Sequence, residues 1–182
     1  MYFDKITEDG HLWSVRYEGD VENALALSFS QWNDIQWLWE FFKKNKEDLE
    51  SYFKITDINK AIYHTLEDTE RLQCLILDLS PGTDLEKLFR PLNNTQTSAL
   101  ILNKEKARLN REGGQASWLR LYAIRLEKGV YVITGGAIKL TATMEERQHT
   151  LQEINKMEKV RNFLIEEDIV DQDSFLDYQE SL

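Results

Sequence analysis

The chain has 182 residues, 42% hydrophobic and 30% charged, with 22 Lys+Arg against 32 Asp+Glu for a formal net charge of −10. These are globular values that exclude a disordered segment, and the acidic balance argues against broad affinity for nucleic acid. A single cysteine, Cys74, excludes an internal disulfide and a thiolate zinc cluster.

The length suits one domain over 1–182 with a sizeable core. Only Pro81 and Pro91 interrupt it, which favours long regular elements. The amino-terminal MYFDKITEDG lacks a basic start followed by an apolar run, so no secretory leader is expected. The apolar stretches fall short of the ~20 residues that span a bilayer. A soluble, cytoplasmic protein with no membrane partner is the expectation.

Residues 12–18 alternate as a strand, with Trp13, Val15 and Tyr17 on one side. Residues 24–29 are a short apolar run that reads as a second strand or as the entry to a helix. Ser30 reads as the N-cap of a helix over 31–45, in which Trp32, Ile35, Leu38, Trp39 and Phe42 share one face. Aromatics at that spacing point to core packing rather than to a base-stacking platform.

A second long helix is expected from Thr56, with Ile58, Ala61, Ile62, Thr65, Leu66, Thr69, Leu72, Ile76 and Leu79 on its inner face, ending at Pro81-Gly82. Within it Cys74 reads as a small buried hydrophobe and His64 as a boundary side chain. The two helices would form an antiparallel pair, a helical insert over 30–80. Thr83 and Glu86 match a capping box for a short helix that Pro91 ends. Residues 93–98 read as a loop. Residues 99–112 read as a small basic helix or helix turn broken by Gly113-Gly114.

The segment 117–141, SWLRLYAIRLEKGVYVITGGAIKLT, reads as two strands joined at Glu127-Lys128-Gly129. Gly135-Gly136 is then either a second turn or a bulge in one long strand. Thr150 and Glu153 match a capping box for a helix whose inner face carries Leu151, Ile154, Met157, Val160 and Leu164. The end of the chain, 171–182, reads as one weak acidic helix carrying Phe175 and Tyr178.

Charge is uneven. Residues 117–165 hold 8 basic and 5 acidic residues, net +3, whereas 166–182 hold no basic and 7 acidic residues, net −7. A mildly basic unit thus lies next to an acidic tail. The glycine pair lacks P-loop spacing, and no dinucleotide fingerprint, nucleophile elbow, HExxH, kinase set or calcium loop is present. No cofactor and no metal site are expected.

The pieces LRLYAIRL, VYVITGGAIKLT and TLQEINKMEKVRNFL, in that order over 117–165, resemble the carboxy-terminal half of RelE/HigB-type toxins of the RelE/ParE-like superfamily. In that family an arginine-bearing strand is followed by an apolar strand, a lysine-containing turn and a helix. The resemblance implies a metal-independent endoribonuclease of a bacterial toxin–antitoxin system, with messenger RNA held over an open sheet at the ribosome. The ribose 2′-hydroxyl would attack the neighbouring phosphate, which needs cations around that phosphate and groups to take and give a proton.

Carried onto this chain, the resemblance gives Arg120, Tyr122, Lys139 and His149 as catalytic candidates and Arg125 and Arg147 as RNA contacts. Arg120 and Arg125 differ by five, so a straight strand points them to opposite faces. A neighbouring antitoxin protein is the implied partner. The fold expectation is α+β: a small, mostly antiparallel sheet packed by the carboxy-terminal helix, with the long helical pair alongside. The alternative reading is a non-catalytic protein-interaction module whose acidic tail docks a basic partner.

Overall fold

The computed structural model describes residues 1–77, 85–92, 102–109 and 116–181. It is an α+β protein built on one six-stranded mixed sheet. The strands are β1 (Tyr2–Lys5), β2 (Leu12–Arg16), β3 (Phe89–Pro91), β4 (Asn103–Ala107), β5 (Leu119–Glu127) and β6 (Val130–Ile138). Their order is β1-β2-β6-β5-β4-β3, and every neighbouring pair is antiparallel except β2 with β6.

Between β2 and β3 the described residues hold four α-helices, α1 (Ala24–Asn33), α2 (Ile35–Lys44), α3 (Lys46–Phe53) and α4 (Ile58–Leu77), and a 3-10 turn, Leu85–Lys87. Helices α5 (Gln148–Glu166) and α6 (Gln172–Glu180) follow the sheet. Among the described residues no helix is long and apolar enough to cross a membrane.

Both faces of the sheet are covered, which corrects the expected open floor with helices alongside. Alternation along β5 sends Leu119, Leu121 and Ala123 into a core shared with α1–α4, and Tyr122, Ile124 and Leu126 into a second core shared with α5 and α6. The central strand β6 is buried on both sides, which accounts for its unbroken apolar run VYVI. Gly129, at φ +81°, closes the β5–β6 hairpin where an L side chain would be strained.

The glycine pair lies inside one continuous strand. A register shift makes Thr134 the extra residue between the Tyr122–Gly135 and Ala123–Ile133 pairs. The acidic segment after 166 is not a free tail. Phe175 of α6 is fully buried, with its ring edge-on to Phe3 and Trp13 at 5.2 and 5.0 Å.

Several local expectations are overturned. The helix expected over 31–45 is two helices, because Asp34 leaves the helical conformation and its carboxylate accepts the Trp37 N–H at 3.0 Å. Trp32 therefore belongs to α1, and Ile35 and Trp39 are exposed rather than on the inner face. Cys74 is exposed, half a turn away from the buried Leu72 and Ile76. Pro91 ends a strand, not a helix.

Residues 103–107, expected as part of a basic helix, form β4. Leu151 is 40% exposed and off the inner face of α5. Thr150 makes no capping box, since its hydroxyl donates to the carbonyls of Met144 and Arg147. The sites expected at 78–84, 93–101 and 110–115, including Leu79, Pro81-Gly82, Thr83 and Gly113-Gly114, lie outside the described residues.

Candidate anion-binding cleft

The α5 side of the sheet carries a cluster of cations supplied by separate strands. In β5, Arg120 and Tyr122 are two residues apart and share that face. Lys106 of β4 stands directly opposite Tyr122 in the β4–β5 ladder. Arg120 pairs with Ala137 of β6, and two residues on, the Lys139 N–H donates to the Trp118 carbonyl at 2.8 Å. Lys106, Arg108, Arg120 and Lys139 thus border one cleft of ≈ 500 Å³, walled by Leu92, Met144 and Ile154.

Among the described residues, Arg120, Lys106 and Lys139 donate to neutral partners. The Arg120 guanidinium donates to the carbonyls of Ser117 and Leu119, both at 2.7 Å. The Lys106 ammonium donates to the Leu92 carbonyl at 2.8 Å, and that of Lys139 to the carbonyls of Thr141 and Ala142 at 2.6 and 2.5 Å. Carbonyls fix the position of a cation without cancelling its charge.

Burial, and then the like charge of Arg108, pull the Arg120 pKa down to about 10. Lys106 and Lys139 are also lowered, first by desolvation and then by neighbouring cations, Arg120 foremost. Among the described lining residues the carboxylate is Glu145, and it and Glu146 partly offset the lowering at Lys139. An anion entering here would relieve repulsion that the protein itself leaves standing.

Tyr122 forms the floor. It is among the residues that line the cleft, its side chain is fully buried, and among the described residues its hydroxyl has no hydrogen-bond partner. Burial pushes the phenol up from its ordinary value, so at neutral pH it is a hydrogen-bond donor. Two or three fixed N–H donors and one buried O–H around a cavity suit the oxygens of a phosphate group.

Three of the sequence-derived candidates, Arg120, Tyr122 and Lys139, therefore meet in one place. The other three do not join them. Arg125 lies on the opposite face, 3.7 Å from the buried Glu105. Arg147 grips Asp48 of α3 with two nitrogens, at 2.7 and 2.6 Å. His149 has Nε2 at 2.9 Å from the Ile138 carbonyl, packs edge-on against Phe41, and borders a different cavity.

Two cleft residues, Lys106 and Arg108, were hidden by the reading of 99–112 as helical. The available signal was a two-residue spacing: Lys104, Lys106 and Arg108 alternate with Asn103, Glu105 and Ala107, all three of which are buried.

Comparison with family models, with curated proteins and with solved structures returns no match to this chain.

Proposed function

We propose that the chain is a toxin-like, RNA-directed module similar to the RelE/HigB type, and that the Arg120 cleft is where it grips the RNA backbone. The observation that carries this reading is that Lys106, Arg108, Arg120 and Lys139 line one cleft together with the buried Tyr122. An acidic chain that concentrates desolvated cations in one cleft supports local recognition of a phosphate rather than broad nucleic-acid affinity.

In the transesterification the resemblance implies, a ribose 2′-oxygen attacks the adjacent phosphorus and the 5′-oxygen leaves. Arg120 holds the non-bridging oxygens and stabilises the charge that grows on them. The Tyr122 hydroxyl donates a further hydrogen bond from below. Of Lys106 and Lys139, whose pKa values burial and Arg120 lower, one in its neutral form takes the 2′-hydroxyl proton and the other, as an ammonium, protonates the leaving 5′-oxygen.

The test is expression of the wild-type chain and of an Arg120→Ala/Lys139→Ala variant, with growth and transcript cleavage as readouts and circular dichroism as the check on folding. The wild type is expected to slow growth and cut transcripts, the folded double variant to do neither. RNA affinity should fall steeply as salt is added, because each phosphate contact releases counterions. A wild-type chain that leaves growth and transcripts unchanged and binds no RNA at low salt overturns the reading.

A further inference from the structure

A second cavity, of ≈ 280 Å³, opens where β6 runs on past the end of β2, between α1, α2 and α5. Helix α5 borders both spaces, Ile154 toward the cationic cleft and His149, Gln152, Glu153 and Lys156 toward this cavity. Glu153 is 5% exposed. Its Oε1 takes a hydrogen bond from the Lys156 ammonium at 2.7 Å, while its Oε2 has no hydrogen-bond partner. That oxygen is packed against Gly135, so a ligand in the cavity meets it once the carboxylate turns off the strand; a ligand that supplies the donor then relieves the cost of a buried acceptor left unmatched.

The opposing wall is aromatic. Trp37 and Phe41, both half-buried, stack at 5.4 Å with 17° between their planes, and both border the cavity. A flat ring laid against such a wall gains stacking energy whatever its edge presents, and the edge is then read by the carboxylate. The Tyr17 hydroxyl, also at the cavity, is committed to the Thr134 carbonyl at 2.7 Å. Asp20 stands at the cavity as well, so its charge, set against that of Lys156, leaves this space without the cationic excess of the cleft.

Because Lys156 already meets the Glu153 charge, a second full cation would be placed beside an ammonium. A neutral planar group with two adjacent N–H donors fits better. Among the nucleobases that edge belongs to guanine, whose ring N1–H and exocyclic amine lie side by side; adenine sets a bare ring nitrogen in the same place. We infer that the Glu153 cavity is a guanine-recognition site, Glu153 accepting from the base edge and Trp37 with Phe41 supporting the ring. The inference rests on the RNA-directed reading and assigns it a base preference.

The experiment is calorimetric titration of the whole chain with guanosine, inosine and adenosine. Guanosine is expected to bind best. Inosine, which lacks the exocyclic amine, should bind on the order of tenfold more weakly, and adenosine more weakly again. Glu153→Gln should lower guanosine affinity by about tenfold or more, and Trp37→Ala by a similar factor. Trp37 is half-exposed, so that variant decides the matter even if Glu153→Gln does not fold.

No guanosine binding by the wild type, equal binding of adenosine, or affinity unchanged in Trp37→Ala overturns the assignment. Nucleosides carry no phosphate and do not report on the Arg120 cleft. Loss of guanosine selectivity with RNA binding intact therefore removes the base site and leaves the RNA-directed reading standing.

Discussion

Gly135 faces Tyr122 across the β5–β6 ladder, and the Glu153 carboxylate occupies the space that the missing side chain leaves. The adjacent Gly136 does the same for α1, admitting the Ser28 hydroxyl and the ring of Trp32 on its side of the strand. One glycine pair thus lets two helices approach the middle of the sheet, one on each face. That approach also sets the two cavities on either flank of α5.

A methyl group at position 135 would fall well inside contact distance of Glu153 Oε2. Gly135→Ala is therefore expected to lower unfolding free energy by about 1–3 kcal/mol, the usual cost of overpacking. Adding Glu153→Ala should return most of that loss. Gly136→Ala meets the buried indole of Trp32 at 2.8 Å and should not be rescued by the same second change. Urea unfolding of the four variants checks both statements; a Gly135→Ala protein as stable as the wild type would refute the first.

Burial raises the Glu153 pKa above the ordinary 4.5, by more than the nearby Lys156 lowers it. The folded chain then keeps this proton to higher pH than the unfolded chain does. The stability of the neutral form is fully present below 4.5 and is lost as pH rises through the raised value. Glu153→Gln is neutral throughout, so it should gain on the wild type as pH rises from 4.5 to neutrality. Glu105 is raised in the same direction by the same cause and is present in both proteins, so it drops out of the difference. Denaturation midpoints at intervals across that range test it, and parallel curves for the two proteins would sink it.

The elements that could be read from the residues were those with one dominant period. Apolar alternation along 119–126 and the unbroken apolar run 130–133 mark the two long strands, and spacings of three and four mark α4 and the inner face of α5. Where polar residues are buried, the pattern fails. In β4 the inward positions are Asn103, Glu105 and Ala107, so NKEKA resembles the charged face of a helix. Asp34 does carry its own signal as an N-cap residue, but the aromatic spacing across it is continuous and masks the break. Convergence is a different kind of information. Arg120 and Lys139 meet only because Arg120 pairs with Ala137, a register that the Thr134 bulge shifts.

Tyr122 offers the sharpest separation of stability from function. Its hydroxyl is fully buried and makes no hydrogen bond within the protein, so the fold bears the cost of desolvating it and gains nothing in return. Tyr122→Phe removes that group while keeping the ring that packs against α5. The variant is expected to be as stable as the wild type or more stable by up to ~1 kcal/mol. If the hydroxyl serves a phosphate in the cleft, RNA affinity should meanwhile drop about threefold to tenfold. Arg120→Ala is expected to behave differently, losing affinity and also its contacts to the carbonyls of Leu119 and of Ser117, the latter tying β5 to the segment before it. Paired measurements of unfolding free energy and RNA affinity on Tyr122→Phe decide the matter. A destabilised protein with unchanged affinity would make the hydroxyl part of the scaffold, and a stable protein that binds less well marks it as part of the site.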